Sequence, residues 1–292
     1  MVLFSMMSKR LYNQILIDSK HFQFRTLLIQ SESVHLHRHS DQDSGIVEIK
    51  MDRPEAKNAL GKDMLRGLLN SFEAISTDSK ANVLMICSSV PRVFCAGADL
   101  KERKAMNVSE VRAAVNSLRS TFSYLEALQI PTIAVIEGAA LGGGLEMALS
   151  CDLRICGEDA KLALPETGLA IIPGAGGTQR LPRLVGKSIA KELIFTGRKI
   201  GAKDALSIGL INYCVPAGEA YSKALEIARE INQKGPVAIR MAKRAINEGL
   251  EVNMASALGV EEDCYEQTLH TNDRLEGLSA FAEKRKPVYK GE

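Results

Sequence analysis

Residues 131–180 read PTIAVIEGAALGGGLEMALSCDLRICGEDAKLALPETGLAIIPGAGGTQR, and the rest of the chain is organised around this block. A β-branched run, 132–136, follows a proline and breaks into Gly138 and then Gly142, Gly143 and Gly144, ahead of a helix predicted over 147–150. A second apolar strand is predicted over 153–156. It leads to Leu164-Pro165-Glu166 and a second glycine cluster at 173–180. The block thus sets two acids, Glu146 and Glu166, beside an unusually glycine-rich backbone.

A strand that breaks into glycines and then a helix leaves free N–H groups at the helix N-terminus, where the dipole is positive. Glycines let a ligand approach the main chain closely. Such a turn binds a phosphate, or an oxygen that gains negative charge during reaction; the bland alternative is a tight strand–helix turn with no ligand. A dinucleotide fingerprint G-x-G-x-x-G fails, because its third glycine falls on Met147 from Gly142 and on Gln179 from Gly174. The P-loop pattern fails as well, since no Gly-Lys-Ser/Thr stands at the required spacing.

Working outward, 292 residues allow one large domain or two, and 46% apolar with 25% charged residues is ordinary globular composition. A formal charge of +2 implies no general affinity for polyanions, and no apolar run reaches the length of a membrane span. The six cysteines, Cys87, Cys95, Cys151, Cys156, Cys214 and Cys264, form no C-x-x-C and read as free thiols of a reducing compartment. The first 30 residues carry Lys9, Arg10, Lys20 and Arg25 against one acid, Asp18, with scattered serines; this is the composition of a transit peptide or of a disordered leader. His35, His37 and His39 would share a strand face, read as solvated rather than metal-binding.

A strand is expected over 45–51, then a cationic loop, then a helix over 60–75 on which Lys62 and Arg66 stand one turn apart, with uncharged Asn70 continuing the row. That row is a solvated face or, in the sharper reading, a basic comb for RNA. The strand at 83–87 is followed by Val93-Phe94-Cys95-Ala96-Gly97-Ala98-Asp99-Leu100-Lys101, a second apolar run that ends in a small-residue turn. Paired with the turn at 142–144, its free N–H groups make a two-donor oxyanion hole conceivable. Helices are expected over 109–129, 187–196 and 202–208. From residue 219 the chain reads as almost wholly helical, with breaks near 235–236 and 272–273 and an apolar stripe of Met254, Leu258, Tyr265 and Leu269.

Residues 95–102, the 138–146 loop, Pro165-Glu166-Thr167 and PGAGGTQRL from Pro173 together resemble the enoyl-CoA hydratase/isomerase family, the crotonases, from about residue 44 to the C-terminus. Cys264-Tyr265, 273–278 and 283–285 resemble the branch that contains methylglutaconyl-CoA hydratase and more generally named mitochondrial enoyl-CoA hydratases. The resemblance implies an α/β fold, a crotonase-like ββα spiral with a C-terminal helical trimerisation region. It divides the chain into a leader or transit-like segment at 1–40, a catalytic core at 41–230 and an oligomerisation region at 231–292. By motif position, Glu146 and Glu166 would be catalytic, and the N–H groups of Ala98 and Gly143 would form the oxyanion hole. Lys57, Ala96, Asp99, Leu100, Lys101, Gly142 and Gly174 would contact substrate, with Phe281 and Lys284 reaching it from a neighbouring subunit.

The resemblance also implies an activity: reversible addition of water across the 2,3 double bond of a short or branched 2-enoyl-CoA, with 3-methylglutaconyl-CoA of leucine degradation as the named candidate. The CoA thioester is the substrate, and no separate cofactor or metal is expected. The chain would form a homotrimer or homohexamer and act in mitochondria, with cytosol or peroxisome as alternatives. General short-chain hydration in fatty acid β-oxidation is the nearest rival function. An RNA-binding protein on a hydratase scaffold, using Lys62 and Arg66, is the rival of another class, and a non-catalytic assembly member is a third.

Overall fold

A computed structural model describes Ser31–Glu292; the transit-like reading of residues 1–30 lies outside the described residues. Strands alternate between two sheets as the chain winds. The larger sheet has the order β1 (Val34–Arg38), β2 (Ile46–Met51), β3 (Val83–Ser88), β5 (Thr132–Ile136), β7 (Leu153–Gly157), β10 (Tyr213–Val215). The smaller has the order β4 (Val93–Cys95), β6 (Ala139–Leu141), β8 (Lys161–Ala163), β9 (Ile200–Gly201). The β1–β2 and β8–β9 pairs are antiparallel and the other neighbours parallel. After β1 and β2, which both join the larger sheet, the pairs β3/β4, β5/β6 and β7/β8 each give one strand to each sheet before a helix, which is the expected ββα repeat.

The intervening helices are α1 (Lys62–Ser76), α2 (Leu100–Lys104), α3 (Val108–Glu126), α4 (Gly143–Leu149), α5 (Gly177–Val185), α6 (Lys187–Thr196) and α7 (Ala202–Ser207). After them come α8 (Ala220–Asn232), α9 (Pro236–Gly249), α10 (Met254–Leu269) and α11 (Asn272–Ala282). Among the described residues no helix is long and apolar enough to cross a membrane.

Parallel strands covered on both faces need apolar residues throughout, and β3 and β5 have them. Their alternation splits the core in two. Leu84, Ile86, Ala134 and Ile136 face the larger cluster with Phe72, Phe94 and Phe122. Val83, Met85, Ile133 and Val135 face a smaller one under α8, whose Ala220, Ala224 and Ala228 repeat every fourth residue and let the helix lie close on the sheet. Helix α3 opens with a full capping box: the Asn107 side chain accepts the Glu110 N–H at 3.0 Å, and the Glu110 carboxylate accepts the Asn107 N–H at 2.8 Å.

Four expectations shift. Residues 34–38, placed in the 1–40 leader, form β1, because Val34 and Leu36 turn to the sheet while His35 and His37 stay exposed. His39 follows β1 with its ring edge-on to His37, centroids 5.0 Å apart, and sits 3.2 Å from the buried Glu48 carboxylate instead of being simply solvated. The helix expected at 147–150 begins at Gly143, burial overriding the low propensity of glycine. The tail, helical from Ala220 with the expected break before Pro236, carries a further break at 250–253, where the Asn253 side chain caps α10 by accepting the Ser256 N–H.

The segment that leads into α1 is pinned by Asn58, which is wholly buried. Its Nδ2 donates to Ser88 Oγ (2.8 Å), Phe94 O (3.0 Å) and Met51 O (3.5 Å), and its Oδ1 accepts the Arg53 N–H (2.8 Å). Asn58→Ala strands several of these groups without water, so a loss of about 2–4 kcal/mol is expected in urea unfolding.

Candidate active site

Strands β4 and β6 are parallel neighbours, so their C-terminal ends emerge side by side, and each turns into a helix: α2 after β4, α4 after β6. Leu60 grips the first turn. Its N–H donates to Gly97 O (2.7 Å), and its carbonyl accepts the Asp99 N–H (3.4 Å). In extended chain the N–H groups alternate sides, so the Ala98 N–H between them points away from Leu60. The backbone of Gly97 has φ +95°, and a methyl group built there would lie 2.7 Å from Leu141 O and 3.3 Å from the Gly143 nitrogen. One built on Gly143 would lie 3.7 Å from the Ala98 nitrogen. The two amides are therefore neighbours. Among the described residues neither has an acceptor; Gly143, as the first residue of α4, has none within its own helix.

Glu146 lies one turn into α4, with 3% of its surface exposed. Its Oε1 accepts the N–H groups of Ala175 and Gly177, each at 2.8 Å. Burial pushes its carboxyl above the usual carboxylate range, against the pull of those two N–H groups and of the Arg180 and Arg103 charges. The loop that supplies the donors is itself held: Arg119 donates to Gly174 O (2.9 and 3.1 Å), and Arg180 donates to Ala175 O (3.0 Å) while pairing with Glu126 (2.6 Å).

Glu166 opens a 3-10 turn, Glu166–Leu169, that is tied to α6 by the Thr167 hydroxyl, which donates to Ile194 O at 2.8 Å. A methyl on Gly142 would lie 3.0 Å from Glu166 Oε1, which puts this carboxyl against the same turn as the free amides. Its Oε2 is buried without a hydrogen-bond partner among the described residues. Burial and then the nearby Glu146 charge push the Glu166 carboxyl up to about 7. Two acids in one site thus have unlike surroundings: one is held by amides, the other is part-buried with one oxygen buried and unpaired among the described residues.

Of the other expected residues, Ala96 stays beside the hole, its N–H donating to the carbonyl of exposed Lys57 at 3.0 Å. Leu100 and Lys101 are exposed on α2 next to it. The Asp99 side chain caps α2 by accepting the Lys101 and Glu102 N–H groups (3.0 and 3.2 Å) and pairs with Arg53 (2.9 Å). Phe281 and Lys284 are exposed at the end of α11, and within this chain no hydrogen bond or ion pair joins Lys284 to the Glu146 region. Arg66 of the basic row is paired with Asp63, so Lys62, Arg66 and Asn70 do not present a free comb.

Sequence reasoning missed Ala175 and Gly177 as donors, Arg119 and Arg180 as loop pins, and Arg103. Arg103 is half-buried on α2, its side chain makes no hydrogen bond or ion pair among the described residues, and its positive charge is felt by both glutamates.

A family model for enoyl-CoA hydratase/isomerase matches residues 41–292. A protein of Arabidopsis thaliana named "Probable enoyl-CoA hydratase 2, mitochondrial" is 67% identical over 270 residues, which is 91% of this chain and 90% of that one. The human "Methylglutaconyl-CoA hydratase, mitochondrial" is 50% identical over 260 residues, 87% of this chain and 77% of that one. The crystal structure of an enoyl-CoA hydratase from Bacillus anthracis superposes with a TM-score of 0.87 at 47% identity, covering 89% of this chain and all of that one. The chain belongs to the enoyl-CoA hydratase/isomerase family. Within it, the protein is a hydro-lyase of the enoyl-CoA hydratase type.

Gly143 stands at the first position of α4, where proline is tolerated and no helical bond is lost. Gly143→Pro removes one of the paired amides. It is expected to lower kcat for crotonyl-CoA hydration at least 10²- to 10³-fold while leaving the far-ultraviolet circular dichroism unchanged.

Proposed function

We propose that the protein hydrates a 2-enoyl-CoA between its two amides and its two glutamates, and that its preferred acyl group is branched and carries a second carboxylate, as in 3-methylglutaconyl-CoA. The juxtaposition of the Ala98 and Gly143 N–H groups with Glu146 and Glu166 carries the reading. Adding water to a conjugated thioester builds negative charge on the thioester oxygen, and two fixed donors stabilise that charge.

Glu146, whose ionised form two N–H groups stabilise, serves as the base: it takes a proton from water as the water oxygen bonds to C3. Glu166, whose surroundings favour its protonated form, delivers a proton to C2. Water is thereby split into OH at C3 and H at C2. Proton transfer from Glu146 to Glu166 restores the pair for the next turnover. No separate cofactor enters these steps.

Unpaired Arg103 supports the acidic acyl group, because a half-buried guanidinium beside the glutamates suits a distal carboxylate. The relatives named mitochondrial support a mitochondrial location. Exposed Leu250, Met254 and Phe281 on the C-terminal region support assembly as a homotrimer or homohexamer.

Loss of the enoyl absorbance, followed with crotonyl-CoA and 3-methylglutaconyl-CoA side by side, tests the reading. Glu146→Gln and Glu166→Gln are each expected to lower kcat by about 10²- to 10⁴-fold. Arg103→Gln is expected to lower kcat/KM for the acidic substrate about 10- to 100-fold more than for crotonyl-CoA. Hydration of neither thioester by the wild type would sink the proposal.

The pH profile of kcat/KM gives an independent check. With Glu166 raised to about 7 and required in its protonated form, activity should be present below that pH and fall as pH rises through about 7. The acid limb belongs to protonation of Glu146, and Glu166→Gln should abolish the alkaline limb.

A further inference from the structure

Arg154 opens no cleft and touches no expected ligand position, yet it is only 5% exposed. A buried arginine is ordinarily paired with a carboxylate. Here all four hydrogen bonds of the guanidinium go to main-chain carbonyls: Leu210 O (2.9 Å), Cys151 O (2.6 Å), Ala148 O (3.4 Å) and Asp152 O (3.4 Å). The carboxylate of Asp152 is close by but is engaged by Lys243 Nζ (2.7 Å) and by the Thr132 N–H and hydroxyl (2.8 and 3.0 Å). Burial pulls the Arg154 guanidinium below its ordinary range, but arginine has so large a margin that it stays charged at neutral pH.

The placement of this charge is specific. Ala148 is in the last turn of α4 and Cys151 lies two residues beyond its end; α4 is the helix whose first N–H is one of the two free amides. Two further carbonyls near that end are also met, with Ser150 Oγ donating to Glu146 O (2.9 Å) and the Ser150 N–H donating to Met147 O (3.1 Å). All seven residues of α4 are buried, so little solvent screens its axis. The arrangement is a cation at the negative pole of a short buried helix and an open N–H at its positive pole.

We propose that Arg154 is a positioning residue for the oxyanion hole: its buried positive charge, acting along α4, raises the affinity of the Gly143 amide for a negatively charged thioester oxygen. This rests on the hydratase reading above. Seven residues of helix span roughly 10 Å. A unit charge about 12 Å from the oxygen, at an effective dielectric constant of about 20, favours the negative form about tenfold.

The test uses acetoacetyl-CoA, whose enolate places a negative oxygen where the amides lie and is followed by its ultraviolet absorbance when bound. Two variants separate charge from hydrogen bonding. Arg154→Gln keeps donors without charge, and Arg154→Lys keeps charge with fewer donors. For folded Arg154→Gln, enolate affinity and kcat for crotonyl-CoA should both fall about tenfold with KM within about twofold. Arg154→Lys should hold both within about threefold, although its melting temperature falls too.

Equal enolate affinity in Arg154→Gln and wild type would overturn the proposal, as would equal losses in the two variants. If Arg154→Gln does not fold, an enolate affinity more than tenfold below wild type in Arg154→Lys overturns it by itself. Failure of the wild type to bind the enolate would instead strike at the oxyanion-hole reading, so the two failures are distinguishable.

Discussion

A methyl group on Gly144 would lie 2.3 Å from the carbonyl oxygen of Cys95, a distance no side chain can occupy. Helix α4 therefore packs directly on the end of β4 only because residue 144 has no side chain. The rest of the site depends on that close approach. It brings the first amide of α4 beside the amide of Ala98, and it carries Glu146, one turn further on, under the loop at 173–177. Two strand ends of the small sheet thus become one polar surface without any long connection between them.

The chemistry follows from treating two like groups unlike. Glu146 is almost wholly enclosed, and its charge is compensated by two main-chain donors on a loop that Arg119 and Arg180 hold in place. Glu166 is enclosed less, keeps one buried oxygen unpaired, and lies within reach of the Glu146 charge. Under the proposed mechanism, these unlike surroundings would let Glu146 accept a proton and Glu166 donate one. Behind them, Ser150 Oγ and the buried guanidinium of Arg154 donate to carbonyls at the C-terminal end of α4 and just beyond it.

Much of this was legible in the sequence where the signal was local. The run at 132–136 breaking into glycines, and the parallel break at 93–98, identified both strand–helix turns. The order of four motifs identified the family, because each demands a backbone that few residues allow. What was not legible depends on distance in the chain or on context. Ala175 and Gly177 reach Glu146 across about thirty residues, and nothing local to them marks a donor. The capping role of Asp99 was not legible either, since its neighbours Lys101 and Glu102 offer N–H groups that only the fold directs at it. Helix α4 began earlier than its apolar residues suggested because packing outweighs the propensity of two glycines. The alternating histidines at 35–39 pointed to a strand face, and β1 forms there with Val34 and Leu36 as its apolar anchors.

The most direct measurement of the central claim is the carbonyl stretching frequency of a bound, unreactive thioester, butyryl-CoA labelled with carbon-13 at C1, read by infrared difference spectroscopy. Two amide donors on one oxygen should shift that band well below its position in water, and Gly143→Pro should return much of the shift. A band at the aqueous frequency in the wild-type complex would contradict the account, because the amides of Ala98 and Gly143 would then not be holding the thioester oxygen.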